Sequence, residues 1–142
     1  MGMSRVFWDT NLFIYLFEDF GGFTSQVATL RSRMLTRGDE LFTSAVTLGE
    51  ILVKPMQMGD TKAVAYYQKL LTTAATVLPF EEKAAVVCAR LRGDRSLRPP
   101  DAMQLACAAS AGVDLFITNE ARLHSKQIPG IQFIVPLDRV PI

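Results

Sequence analysis

Short runs of continuous hydrocarbon alternate along this chain with longer stretches in which apolar residues recur every three or four positions. The short runs are "SRVFW", "ELFTS", "TVLPF", "VDLFIT" and "IQFIVPL". They are strand-length, rich in β-branched and aromatic residues, and read as five strands. Helices are predicted between them. "NLFIYLFED" is stopped by Gly21-Gly22. A second helix is capped by Thr24, carries Val27, Leu30, Met34 and Leu35 at helical spacing, and ends at Gly38. "AVTLGEILVKPMQMG" follows, with Pro55 a kink or late break. Asp60 caps "TKAVAYYQKLLTTA", and "EEKAAVVCARLRG" opens on acids that suit a helix dipole. "PDAMQLACAASAG" has Pro100 at its first position and Gly112 just past its end, and "NEARLHS" makes a short helical turn. Continuously apolar strands separated by helices predict a parallel sheet covered on both faces. With no repeat, linker or low-complexity tract, residues 1–142 read as a single domain.

The polar residues that break this pattern carry the chemistry. Asp9, Thr10 and Asn11 interrupt the apolar stretch "FWDTNLFIYLF", and a carboxylate amid so much hydrocarbon needs compensation. In parallel sheets, ligands bind beyond the carboxyl ends of the strands. Asp9 follows the first strand and Glu120 follows "LFIT", so both are expected at that edge. Asp101 opens a helix that runs through the Gly112 turn directly into the "LFIT" strand; helix and strand must be antiparallel, which returns Asp101 to the same edge. Glu50 lies within the first two turns of the helix after "LFTS". Four acids distant in sequence are predicted to meet at one rim, whereas Asp114, another candidate, is expected at the opposite end of its strand.

Converging carboxylates repel one another, and hard divalent cations relieve the repulsion. A cation held this way activates water and neutralises a phosphoryl group during in-line displacement, so metal-assisted hydrolysis is the chemistry the residues support best. Three of the acids also have an ordinary reading: Asp101 at a helix N-terminus, Glu120 capping a short helix, Glu50 on a wet helix face; Asp9, which interrupts an apolar run at a strand end, is hardest to dismiss. Cys88 and Cys107 are far apart, and His124 is the single histidine, which excludes a structural zinc site by ligand count. Both cysteines read as small buried hydrophobes.

The stretches "VFWDTNLFIYLF", "SAVTLGEIL" and "RPPDAMQLACAASAGVDLFITNEARL" resemble the PIN-domain ribonucleases, most closely the VapC-type toxins of toxin–antitoxin pairs. The resemblance runs in order from Arg5 to Leu123, and the "PDA…A" helix followed by "ITNE" is its most specific part. It implies a three-layer α/β/α PIN-like fold around a five-stranded parallel sheet. It implies an endoribonuclease dependent on Mg²⁺ or Mn²⁺, with Asp9, Glu50, Asp101 and Glu120 as the acidic residues and Asp9, Asp101 and Glu120 on metal. Asn11 would orient Asp9 by a hydrogen bond, and Thr118 would stand beside the fourth acid. Many members have Asp where this chain has Glu120. By the same resemblance the partners are an RNA substrate, a cognate antitoxin segment and a second copy in a homodimer.

Composition adds boundaries. The chain is 49% hydrophobic and 20% charged, which suits a globular fold rather than disorder. The net charge of +1 neither announces nor excludes a nucleic-acid partner. No apolar run is long enough to span a membrane. "MGMSRV" shows no signal-peptide layout, and Val6 stands where N-myristoylation needs Ser or Thr, so a cytoplasmic protein is expected. In "ARLRGDRSLRPP", Arg95 and Arg98 precede Asp101 and are candidates for a phosphate clamp, with Arg122 and Lys126 behind them. The aromatic-rich "NLFIYLFEDFGGF" offers core on one face, with Phe13 and Phe17, and a possible partner groove on the other; "VAYYQKLL" is a candidate dimer contact. Two rival readings stand beside the nuclease. One is a catalytically silent PIN scaffold that binds protein or RNA. The other is a phosphatase of the haloacid-dehalogenase type, which needs a second Asp two residues after Asp9, where Asn11 stands.

Overall fold

Val6 and Trp8 face one side of a sheet and Phe7 the other, and this alternation sets two hydrophobic layers. The structure, a computed structural model, describes residues 3–142; Met1 and Gly2, which bear on the lipidation pattern, lie outside the described residues. In chain order the elements are β1 (Arg5–Trp8), α1 (Thr10–Phe17), α2 (Gly22–Arg37), β2 (Glu40–Ser44), α3 (Ala45–Gln57) and α4 (Thr61–Ala74). These are followed by β3 (Thr76–Leu78), α5 (Glu82–Leu91), α6 (Pro99–Ala111), β4 (Leu115–Ile117) and β5 (Phe133–Val135). Single 3₁₀ turns occupy Ala121–Leu123 and Leu137–Arg139.

The five strands form one sheet in the order β3-β2-β1-β4-β5, and every pairing is parallel. Helices cover both faces, giving the expected α/β/α layering. On one side, Val6, Trp8, Leu41, Leu115 and Ile117 pack against Leu12 and Phe13 of α1, Val27, Leu30 and Met34 of α2, Ile51 of α3 and Leu71 of α4. On the other, Phe7, Phe42 and Phe116 pack against Leu105 and Ala108 of α6 and Ala84 of α5. Phe7 and Phe116 are register partners, and their rings stack at 4.9 Å with 8° between planes. Cys107 is buried in this second layer and Cys88 beside it against Ala102 and Ala106; burial pushes the Cys107 thiol up to about 11, which leaves it protonated and inert.

The strand order places a topological switch between β1 and β4. From β1 the chain winds outward through β2 and β3, then returns to the other side of β1 for β4 and β5. The crevice beyond the carboxyl ends of β1 and β4 is where such sheets bind ligands. α6 reaches this edge as predicted. Gly112 caps it in the left-handed conformation (φ 65°), its N–H bonded to the carbonyls of Ala108 and Ala109, and the chain turns directly into β4.

Two expectations about helix starts are corrected. Thr24 does not cap α2, which begins at Gly22 with Gly21 as its cap. Its hydroxyl instead accepts from Phe20 N and donates to the carbonyls of Tyr15 and Glu18, fastening the loop after α1. α6 begins one residue early: Pro99 and Pro100 both occupy its first turn, where a missing N–H costs nothing. Pro55 is tolerated inside α3, which runs on to Gln57. Among the described residues no helix is long and apolar enough to cross a membrane.

Candidate functional site

Asp9 stands at the switch point. Its backbone N–H donates to Ile117 O at 3.0 Å, so the residue is fixed between the ends of β1 and β4. It is also the N-cap of α1, and the first N–H of that helix, Thr10 N, donates to Oδ1 at 2.8 Å. The Thr118 hydroxyl donates to Oδ2 at 2.7 Å, and Gln104 Nε2 to Oδ1 at 3.3 Å. Burial nevertheless dominates and pushes the Asp9 carboxyl above its ordinary range. Thr118 and Thr10 oppose that shift, while the charges of Glu50 and Asp101 add to it. Asp9 therefore feels two of the other acids across space.

The four acids arrive at one rim as two pairs, each joined through a shared donor. Thr10 joins the first pair: its backbone binds Asp9, and its hydroxyl donates to Glu50 Oε1 at 2.7 Å. Arg122 joins the second: Nη2 lies 2.9 Å from Asp101 Oδ2, and Nε lies 3.0 Å from Glu120 Oε1. Asp101 occupies the first turn of α6, and Glu120 opens the 3₁₀ turn after β4, its N–H donating to Thr118 Oγ1 at 3.0 Å. Among the described residues no three acidic, histidine or cysteine side chains close into a ready metal cage. The expectation of a gathered cluster is corrected to that extent: Arg122 engages two of the acids.

Asp114 lies at the opposite edge, as expected, where its Oδ2 accepts from Arg5 N at 2.8 Å. Asn11 does not orient Asp9. The partners of Asp9 are Thr10, Gln104 and Thr118, and Asn11 Oδ1 is buried without a hydrogen-bond partner among the described residues. α1 begins at Thr10 with Asp9 as its cap, so residue 11 is already turned about 200° around the helix from the cap. Arg95 and Arg98 are exposed on the loop leading to α6, with Arg98 its N-cap residue. Lys126 is drawn elsewhere, to Asp94 Oδ2 at 2.8 Å, which with Ser96 holds the Asp94 carboxyl at about 2.

Sequence reasoning missed Gln104. It is 2% exposed, on α6 one turn beyond Asp101, and its amide touches Ser44, Thr47, Thr10 and Asp9. The signal was present: a single long polar side chain in "AMQLACAA". The single histidine is also structural, with His124 Nε2 2.7 Å from Thr118 O beneath the loop that carries Glu120.

Four carboxylates against one engaged guanidinium leave the rim with excess negative charge. All the charged donors are oxygen, which suits a hard divalent cation. Beside Glu50, a groove of about 300 Å³ runs between α1, α3 and α4, lined by Ile14, Phe17, Ile51, Lys54, Met58 and Tyr67. Phe17 stacks on Tyr67 at 5.5 Å along its wall. Phe13 is fully buried, whereas Phe20 and Phe23 are exposed.

A five-stranded parallel sheet in this order, with acids beyond the central strand ends, defines an α/β protein of the PIN type. The PIN domain family model matches residues 6–128, and the chain belongs to that family. Its fold is shared by solved structures of low sequence identity. A chain of DNA-bound VapBC from Salmonella typhimurium superposes with TM-score 0.74 at 21% identity, over 95% of this chain and 99% of that one. VapBC-1 from nontypeable Haemophilus influenzae gives TM-score 0.70 at 16% identity, over 95% and 99%. VapBC2 from Rickettsia felis, bound to a promoter DNA fragment, gives 0.70 at 13%, over 93% and 98%. No curated protein sequence matches the chain.

Proposed function

We propose that this protein is an endoribonuclease dependent on Mg²⁺ or Mn²⁺, and that it acts in the cytoplasm as the toxin of a toxin–antitoxin pair. The observation that carries the proposal is Asp9: a carboxylate buried at the switch point, held by three donors and still destabilised, with Glu50 and Asp101 adding to the strain. A divalent cation, with its hard preference for oxygen, relieves such an arrangement.

Asp9 and Asp101 would hold the ion, with Glu120 as a further oxygen donor. When bound, the ion supplies an activated water and neutralises charge on the phosphoryl group. Glu50, held at Oε1 by Thr10, takes the proton from the attacking water. Thr118 keeps Asp9 Oδ2 in place. Arg95 and Arg98 bind backbone phosphates without reading bases, and Arg122 joins them once an ion displaces it from Asp101 and Glu120. In-line attack leaves 5′-phosphate and 3′-hydroxyl ends. The groove beside Glu50 is the seat proposed for an antitoxin segment, since its floor is largely apolar and it reaches one of the four acids. Exposed Val53, Met56 and Tyr66 on α3 and α4 are the surface proposed for a homodimer.

Arg122 favours one second reading, a scaffold that binds without cleaving, because its guanidinium already takes the place of a cation at Asp101 and Glu120. Cleavage of RNA with and without Mg²⁺, by wild type and by Asp101→Asn purified identically, separates the two. The nuclease reading expects metal-dependent cleavage that falls at least about a hundredfold in the variant. Equal cleavage by both proteins marks a contaminant and removes the reading; calorimetric Mn²⁺ binding that Asp9→Asn does not alter leaves only the scaffold.

A further inference from the structure

Gln104 is out of place by the usual rules of a helix core. Its neighbours on α6 are Ala102, Leu105, Ala106 and Cys107, all buried, and an apolar side chain of its length would pack there equally well. Its amide instead spans three elements. Oε1 accepts from the Ser44 hydroxyl, whose oxygen in turn caps α3 by accepting from Val46 N at 3.1 Å. Nε2 lies 2.6 Å from Thr47 Oγ1, 3.1 Å from Thr10 Oγ1 and 3.3 Å from Asp9 Oδ1.

The orientation of this amide is dictated by its partners. An ionised carboxylate only accepts, so the NH₂ side must face Asp9 and the carbonyl must face Ser44. Thr10 has one hydroxyl hydrogen, and it goes to Glu50 Oε1 at 2.7 Å. Thr10 Oγ1 is therefore an acceptor towards Gln104. The hydrogen bonds run from Ser44 to Gln104, whose two amide hydrogens are shared among Thr47, Thr10 and Asp9, and onward from Thr10 to Glu50. The helix that supplies Asp101 thus also fixes the acid at the end of β1 and the acid on α3.

We infer that Gln104 is a positioning residue for divalent-cation binding: its amide sets Asp9 and, through Thr10, Glu50 in register with Asp101. The inference rests on the metal-dependent nuclease reading. It differs from a packing role because packing requires only volume, whereas positioning requires both faces of the amide. Partners that orient metal-binding side chains cost about 10- to 100-fold in metal affinity when removed.

The test uses Gln104→Met, which preserves length and apolar volume but removes both faces of the amide. Mn²⁺ affinity is measured by calorimetry well below the melting temperature, beside kcat and KM on RNA. The expected result is Mn²⁺ binding weakened about tenfold or more and kcat reduced, with KM for RNA within about twofold of wild type. Leu105→Val, one residue along and packed in the layer behind, lowers stability without altering Mn²⁺ affinity. Adding Thr10→Val to Gln104→Met gives less than the product of the two single losses, because both act on one chain. Should Gln104→Met not fold, Ser44→Ala leaves Gln104 in place but frees its amide to turn, and a loss of about threefold is expected. Wild-type Mn²⁺ affinity in the folded variant overturns the inference, as does an equal loss in Leu105→Val. Those results leave the nuclease reading standing provided Asp9→Asn abolishes the binding. A wild-type protein with no Mn²⁺ binding sensitive to Asp9→Asn removes both.

Discussion

Arg122 Nη2 sits 2.9 Å from Asp101 Oδ2 and its Nε 3.0 Å from Glu120 Oε1, so one guanidinium ties α6 to the turn after β4. Both interactions are partly solvated, so their contribution to folding is small. Their significance is competitive, because the proposed metal ligands are engaged before any ion arrives.

Arg122→Gln should therefore tighten Mn²⁺ binding, by roughly tenfold if a full positive charge is removed from within a few ångströms of the ion. The guanidinium also raises no barrier that a neutral amide would reproduce, so the effect should fade as ionic strength rises. Calorimetric titration at two salt concentrations checks both points; unchanged or weaker binding would show that Arg122 supports the ion rather than displacing it.

Asp9 predicts a pH dependence with a definite sign. Burial raises its pKa above 3.8, so the folded protein holds this proton more tightly than the unfolded chain does. Between the ordinary and the raised value, stability falls as pH rises, and above the raised value the full cost is present. Without metal at neutral pH, Asp9→Asn should melt higher than wild type, by about 3 °C for each ~1 kcal/mol relieved. The advantage should shrink on acidification towards about pH 4, where the wild-type carboxyl regains its proton. Thermal melts in a chelator across that range make the comparison, and an advantage that grows on acidification contradicts it.

Thr118 donates to Asp9 Oδ2 and accepts from Glu120 N, and it is fully buried. Thr118→Val keeps its shape and strands both partners, so a loss of about 2–4 kcal/mol is expected in urea unfolding. Thr118→Ser retains the hydroxyl and should lose about 1 kcal/mol or less.

Gly130 tests the back of the molecule. Its φ is +97°, and a Cβ there would lie 2.6 Å from the backbone oxygen of Ala109 in α6. Gly59, also left-handed at φ +65°, has nothing within 4 Å of the same position. Gly59→Ala should cost about 1 kcal/mol from backbone conformation alone, and Gly130→Ala at least about 2 kcal/mol more, since backbone must move. Equal melting temperatures for the two variants would contradict the close approach.

Much of this architecture was legible because period and punctuation agree with burial. The five apolar runs became the five strands, and Gly112 turned α6 into β4 as its position suggested. Asp9 was legible for the same reason, being the first polar residue after a strand with two buried faces. What escaped depended on direction in space rather than on position in sequence. Asn11 is adjacent to the site in sequence, but the first turn of α1 carries it away from Asp9. Arg122 has a choice between solvent phosphate and two carboxylates, and only the convergence of α6 with the β4 loop decides it. Gln104 was readable as an anomaly, but its partners come from three separate elements, and no local pattern assembles them.

α6 also behaves as a gauge block. Its thirteen residues, about 20 Å of rise, hang from the Gly112 corner and suspend Asp101 level with the loop that follows β4. Adding or deleting a single residue between Gln104 and Gly112 would swing Asp101 and Gln104 together by about 100° and shift them about 1.5 Å along the axis. The span from Asp101 to Gly112 is thus committed to the crevice at the other end by its length more than by its composition.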